Sequence, residues 1–279
     1  MSIANVSAFL RPTDLETAFA AVTNGAIPVS GGTDVILHQP ATPTSLVDLT
    51  ALPMSGISPT DGAITIGATA TLSQMLEHPG LAVAANGVIA EMLRAVGSPL
   101  LRNRATIGGH LARGRLSDVI PVLLALDAGV SWYDGTHRDG TLAEFYASAT
   151  HRTRMIITAV AIPAPHRPSA AAFRRFSRTA FDLPILNCAC RVDLADDGIL
   201  VAAARVVVGE TPALATSIAD AELVLRGHPL VPSAIASAAA IAAAEIPARD
   251  DDRASAEYRR ALAEVLVRRC LTEIGTRLP

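Results

Sequence analysis

Apolar positions recur with helical spacing at Leu15, Ala18, Phe19 and Val22, just behind Thr13-Asp14-Leu15-Glu16, which has the spacing of a capping box. This predicts a first helix over residues 14–23, closed by Asn24-Gly25. Short apolar runs at 26–29 and 46–49 read as strands, so the chain up to about residue 52 is expected to form a small α/β unit. Alternation in Ala63-Ile64-Thr65-Ile66-Gly67 marks another strand. Thr71-Leu72-Ser73-Gln74 again has capping-box spacing, ahead of a short helix stopped by Pro79. Leu81, Ala84, Ala85, Val88, Ile89, Met92, Leu93 and Val96 form a stripe that predicts one core-facing helix. Ser117 is placed to cap a helix over 118–126, and strands are expected near 130–133 and 155–162.

The run 163–169 carries three prolines and is the best linker. Beyond it, 173–176, 185–194 and 200–208 read as strands, with a turn at Asp196-Asp197-Gly198. Helices are expected over 218–226, 232–244 and 253–269. Strands followed by helices predict an α+β terminal domain. No internal repeat is visible.

Composition narrows the chemistry. Half of the residues are apolar, and 279 residues give ample length for a core. The longest apolar stretches, such as 119–125, fall far short of the roughly 18 residues of a membrane span. No basic segment precedes a hydrophobic start, so the expectation is a cytoplasmic protein. All 23 positive charges are arginine. Without lysine, Schiff-base chemistry, a P-loop lysine and a lysine general base are excluded. The net charge of −3 and scattered arginines argue against nucleic acid as a partner. Cys188, Cys190 and Cys270 offer neither a disulfide framework nor a metal site, and read as small buried hydrophobes. The seven histidines show no metal-ligand spacing.

Two glycine-rich stretches stand out: Val29-Ser30-Gly31-Gly32-Thr33-Asp34 and Thr106-Ile107-Gly108-Gly109-His110. Paired glycines let the main chain turn tightly and approach an anion, and consecutive N–H groups in such a turn form an anion-binding nest. A lone Gly-Gly is usually an ordinary tight turn, but each pair here sits between an apolar strand-like run and a segment with helix-start features. Two such loops suit a ligand with two phosphates, yet no GxGxxG follows a predicted strand, so a Rossmann site is unsupported.

The run 27–35, the run Ser98-Pro99-Leu100-Leu101-Arg102-Asn103-Arg104-Ala105-Thr106-Ile107-Gly108-Gly109, and the late run Asp252-Arg253-Ala254-Ser255-Ala256-Glu257-Tyr258-Arg259-Arg260 carry a resemblance. Together with Ala63-Ile64-Thr65-Ile66-Gly67-Ala68 and Ile162-Pro163, and in the same order, the chain resembles the FAD-binding (medium) subunits of the molybdenum hydroxylases. The resemblance implies an α+β protein. Its FAD-binding fold would comprise two α/β subdomains of the vanillyl-alcohol-oxidase kind, residues 1–55 and 56–168. A C-terminal domain of antiparallel strands and helices, 169–279, would follow.

It also implies a site. Pro28, Val29, Ser30, Gly31, Gly32, Thr33, Asp34 and Val35 would wrap the FAD diphosphate, with Asp34 turned away from phosphate to cap backbone N–H groups or meet a ribose hydroxyl. Thr106, Gly108, Gly109 and His110 would form the second loop, where His110 replaces the family's usual asparagine. Asp118 would lie near the ribose or ribitol, or else act as a first-turn helix carboxylate. Ile157 would lie against a ring, and Arg174 near the flavin, or else in solvent beside Arg175. Residues 178–182 match a loop over the isoalloxazine, and Arg113-Gly114-Arg115-Leu116 departs from the family pattern. No catalytic side chain and no metal ligand is expected on this chain.

The function implied is an FAD-dependent electron-transfer subunit of an oxidoreductase. A large partner would hold the molybdopterin-type molybdenum cofactor, and a small partner two [2Fe–2S] clusters, in a dimer of heterotrimers. Two alternatives differ in class: a stand-alone FAD oxidoreductase of the same fold, and a non-catalytic assembly protein that has lost the cofactor.

Overall fold

The computed structural model describes residues 5–148, 154–209 and 214–279. It begins with a strand that the apolar pattern does not announce, β1 (Val6–Leu10), whose Phe9 and Leu10 are exposed. Then follow α1 (Leu15–Thr23), β2 (Ile27–Val29), α2 (Thr33–Leu37) and β3 (Thr44–Asp48). The first helix is capped one residue later than the spacing suggests. The Asp14 carboxylate, not Thr13, accepts the Thr17 N–H at 2.8 Å, as a carboxylate at an N-cap does. Strands β1 and β2 both pair parallel with β3, giving the order β1-β3-β2. The chain passes through α1 between β1 and β2, and through α2 between the paired strands β2 and β3; Ala18 and Val22 of α1 pack with Val47 and Leu49.

The middle of the chain forms β4 (Ile57–Thr60), β5 (Ala63–Gly67), α3 (Leu72–Glu77), α4 (Pro79–Val83), α5 (Val88–Ala95), α6 (Pro99–Arg102), α7 (Ile107–Arg113), α8 (Val119–Ala125), β6 (Gly129–Tyr133), β7 (His137–Thr141), α9 (Leu142–Ala147) and β8 (Ile156–Pro163). The five strands pair antiparallel in the order β4-β5-β8-β6-β7. The predicted box at Thr71 forms: the Gln74 N–H donates to Thr71 Oγ1 and the Thr71 N–H to Gln74 Oε1. The stripe from Leu81 to Val96 does not form one helix. Ala85, Asn86 and Gly87 have φ of 49°, 58° and 81°, and this left-handed kink separates α4 from α5. Asn and Gly tolerate that conformation, and a core-facing stripe survives the break because Leu81, Val88, Ile89, Met92 and Leu93 are all buried.

The rest of the chain forms β9 (Ser169–Phe176), β10 (Leu186–Leu194), β11 (Val201–Gly209), β12 (Thr216–Ser217), α10 (Ala219–Leu225), α11 (Pro232–Glu245) and α12 (Ala256–Arg277). The strands make an antiparallel sheet in the order β12-β11-β10-β9. α12 continues past the predicted end at 269 because Cys270, Leu271 and Ile274 prolong its buried face. Cys188 and Cys190, two apart on β10, face the same side, and Cys270 from α12 meets them in the core. Hydrogen bonding to Cys190 and burial push the Cys188 thiol well above its ordinary range. Burial does the same for Cys190 and Cys270. Burial thus favours the neutral thiol at all three, whose sulfurs lie within 4.8 Å of one another.

These elements pack as two compact units. The first comprises residues up to 78, 98–113 and 128–163; the second comprises 79–97, 114–127 and 164–279. Thus α4, α5 and α8 belong to the same unit as the C-terminal sheet, on which α5 and α8 pack, although they lie inside the segment 56–168.

Candidate functional site

The first glycine turn links β2 to α2. Gly32 has φ 73°, a conformation that glycine adopts without strain. Gly31 is there for a different reason: a β-carbon on it would stand 1.9 Å from the carbonyl oxygen of Arg104. The first turn is thereby packed onto the backbone that leads into the second glycine stretch. The first backbone bond closing α2 runs from the Ile36 N–H to the Gly32 carbonyl, so the N–H groups of Thr33, Asp34 and Val35 are not used by the helix ladder.

The second glycine stretch works differently. The Ile107 N–H donates to Ala70 O, the Gly108 N–H to Ala68 O at 2.9 Å, and the Gly109 N–H to Thr106 Oγ1. These donors are engaged within the protein, which corrects the expectation of a second N–H nest. Gly108 is required by packing, since its β-carbon would lie 2.7 Å from Ala68 O.

Both stretches line one cleft of about 260 Å³ in the first unit, which collects 28–35 with Thr106, Gly109, His110 and Arg113. Asp34 neither caps a backbone N–H nor stands apart: its Oδ1 lies 3.4 Å from Arg113 and 3.1 Å from His38 Nδ1. His110 is partly buried. Burial, aided by the Arg113 cation and opposed by Asp34, pushes its pKa down to about 4, so the ring is neutral at pH 7.

A smaller pocket of about 80 Å³ shares Pro28, Ser30, Gly109 and Ala112 with the cleft. Ile157 and Gly108 are in its wall, as are Leu49 and Thr69. The buried hydroxyl oxygens Ser30 Oγ and Thr69 Oγ1 have no hydrogen-bond partner. Buried polar atoms normally have one, so both hydroxyls suit a ligand. Thr69 carries no motif, which is why the sequence alone does not single it out.

Residues 4–165 match the family model for the FAD binding domain in molybdopterin dehydrogenase, and residues 171–274 that for the CO dehydrogenase flavoprotein C-terminal domain. The chain belongs to the FAD-binding medium subunits of the molybdenum hydroxylases. It is 30% identical to the nicotine 6-hydroxylase medium subunit of Paenarthrobacter nicotinovorans, with 87% of this chain and 86% of that one covered. It is 28% identical to the carbon monoxide dehydrogenase medium chain of Afipia carboxidovorans, with 96% of each covered. The solved CO dehydrogenase from Oligotropha carboxidovorans superposes with a TM-score of 0.89 at 26% identity, over 99% of this chain and 100% of that one. The protein is accordingly a subunit of an oxidoreductase, with the α+β fold expected of the family.

The donor set fits the cofactor of these medium subunits. A glycine turn with free N–H groups, beside the Arg113 cation, suits a diphosphate. The uncharged pocket, with its two unpartnered hydroxyls, suits a neutral part of the same molecule.

Two candidate contacts lie instead in the second unit, each with partners there. Asp118 is 5% exposed; its carboxylate accepts the Asn187 Nδ2–H at 2.8 Å and lies 3.3 Å from Arg175. Burial raises its pKa, against the pull of Arg175 and Asn187. Its side chain caps no N–H of α8, so the first-turn role is replaced by a buried ion pair. Arg174, a third exposed, is not a free cation in solvent: it pairs with Glu91 at 2.6 Å and with Glu273, and Arg277 joins the same two carboxylates. In the 178–182 loop, Phe181 is largely exposed and Arg178 pairs with Asp182.

Among the described residues no helix is long and apolar enough to cross a membrane.

Proposed function

We propose that this chain is the electron-exit subunit of a heteromeric, cytoplasmic molybdenum hydroxylase. A large partner would hold the molybdopterin-type molybdenum cofactor and oxidise the substrate. A small partner would carry two [2Fe–2S] clusters, and two copies of the heterotrimer would associate. Electrons would leave through the flavin site of this chain to an external acceptor. Bound FAD supplies a carrier able to take electrons singly from clusters and release them in pairs.

The observation that carries the reading is the cleft itself: the Gly31-Gly32 turn, three N–H groups free of the helix ladder, and the adjoining pocket with unpartnered Ser30 and Thr69 hydroxyls. Within it, Thr33, Asp34 and Val35 would donate backbone N–H groups to the diphosphate. Arg113 would offset its charge, Asp34 would hold the guanidinium in place, and Ile157 would exclude water from the smaller pocket. The neutral His110 adds no second cation there. The kinship with medium chains of nicotine 6-hydroxylase and carbon monoxide dehydrogenase supports the division of labour among three subunits.

The test is purification of the native assembly. Expected are a large and a small partner and one non-covalent FAD per copy of this chain, measured by acid extraction. An intact assembly without flavin overturns the reading, as does a flavin-loaded chain that turns over substrate with no partner.

A further inference from the structure

The cleft accounts for a diphosphate, but the pocket beside it has a different character. Its walls contain no charged side chain, and only two side chains there offer polar groups, Ser30 and Thr69. Both hydroxyl oxygens are buried and neither has a partner. Thr69 is 93% removed from solvent, being 7% exposed. Its backbone is fixed independently, because its N–H donates to Met54 O at 2.9 Å. The hydroxyl is thus held in place without helping to hold the fold. Leaving such a group unpaired is costly, so a ligand that hydrogen-bonds it is favoured there.

The position of the pocket narrows the ligand. It shares Ser30 and Gly109 with the diphosphate cleft, so whatever enters it is continuous with the group bound there. Its apolar walls, among them Leu49, Ile156 and Ile157, would strip water from a phosphate without compensating the charge. A neutral segment bearing hydroxyl or carbonyl groups is the matching chemistry. At about 80 Å³ it takes a part of the cofactor, not the whole.

We infer that Thr69 is a cofactor-positioning residue: with Ser30 it hydrogen-bonds an uncharged part of FAD next to the diphosphate and fixes how the cofactor enters the smaller pocket. This rests on the functional reading above. It predicts opposite effects on the FAD-free and FAD-bound states, which a purely structural hydroxyl would not produce. Valine has the shape of threonine without the hydroxyl, so Thr69→Val removes an unpaired polar atom from the free protein and a hydrogen bond from the complex.

The experiment uses the full chain stripped of flavin, titrated with FAD by quenching of flavin fluorescence, alongside its thermal midpoint without FAD. For Thr69→Val the FAD dissociation constant is expected to rise about 3- to 10-fold, the equivalent of one ordinary hydrogen bond. The midpoint of the FAD-free chain should stay level or rise. Thr69→Ser, which keeps the hydroxyl, should bind within about 2-fold of wild type. Competition with ADP assigns the half of the cofactor: ADP binding unchanged in Thr69→Val places the contact on the flavin side, and ADP binding weakened in step places it on the adenosine side. If wild type takes up FAD and Thr69→Val binds it equally tightly, this inference fails and the functional reading stands. A flavin-free midpoint several degrees below wild type also overturns it, by giving the hydroxyl a structural partner. A wild-type chain that binds no FAD overturns both.

Discussion

Gly31 and Gly32 are neighbours in sequence but glycines for unrelated reasons. Gly32 has positive φ and open space around its Cα, with only Val29 Cγ1 at 3.8 Å from a built β-carbon. Gly32→Ala should therefore fold, at a cost of about 1–2 kcal/mol from left-handed strain alone. At Gly31 the β-carbon would collide with the Arg104 carbonyl, so Gly31→Ala should exceed the roughly 1–3 kcal/mol typical of overpacking. Denaturant unfolding of the two variants compares them directly. Equal losses would mean that the two glycine stretches are not packed together as described.

His110 gives the residue scale a pH signature. Its pKa is lowered to about 4 in the fold, against an ordinary value near 6.5. Between those values the unfolded chain binds a proton that the folded chain does not, so stability falls as pH drops from about 6.5 to about 4, and this group adds nothing further below that. His110→Asn should flatten the dependence of the unfolding midpoint on pH in that window. Identical slopes for variant and wild type would show that the imidazole is not held neutral.

Among elements, the start of α12 carries the most information per residue. Ser255 caps it by accepting the Tyr258 N–H, while Arg259, 1% exposed, reaches back to Arg249 O and to both oxygens of Asp251, each at 2.8 Å. Arg253 holds the carbonyls of Leu183 and Pro184. The run from Asp252 to Arg260 is therefore a structural clasp that fixes the loop before the helix. Arg259→Met should cost about 3 kcal/mol, the low end for breaking a buried pair, because Asp251 is a third exposed and can recover water. Lysine should not rescue it, since an ammonium cannot satisfy the carboxylate bidentately while reaching the Arg249 carbonyl. Equilibrium unfolding of the three proteins tests this; Arg259→Lys matching wild type would contradict the geometry. The elements that the pattern misses have equally local causes. β1 exposes its apolar residues, and β7, with the sequence His137-Arg138-Asp139-Gly140-Thr141, has almost no apolar residue to read. The stripe from Leu81 breaks because Asn86-Gly87 can turn left-handed where the apolar spacing does not register it.

At the scale of the molecule, local signals sufficed for whatever is settled within a few residues. The helix start at Thr71, the strand β5, the order of strands before helices in the C-terminal half, and the glycine turn at 31–32 all follow from neighbours along the chain, whereas the helix expected from 118 with Ser117 as its cap starts one residue later, at Val119. The arginine-only charge likewise bounded the chemistry before any fold was known. Tertiary structure decided what depends on groups distant in sequence. It packed Gly31 onto Arg104, used the second loop's N–H groups on Ala68 and Ala70, and left the Thr69 hydroxyl without a partner. It drew Arg174 and Arg277 to Glu91 and Glu273, Asp118 to Asn187 and Arg175, and Cys270 to Cys188 and Cys190. Residue type and short-range spacing specify backbone conformation and available charge, because those interactions span a turn or less. Which donors are spent and which remain for a ligand is a property of the packed chain, since each hydrogen bond is allocated only when its distant partner arrives.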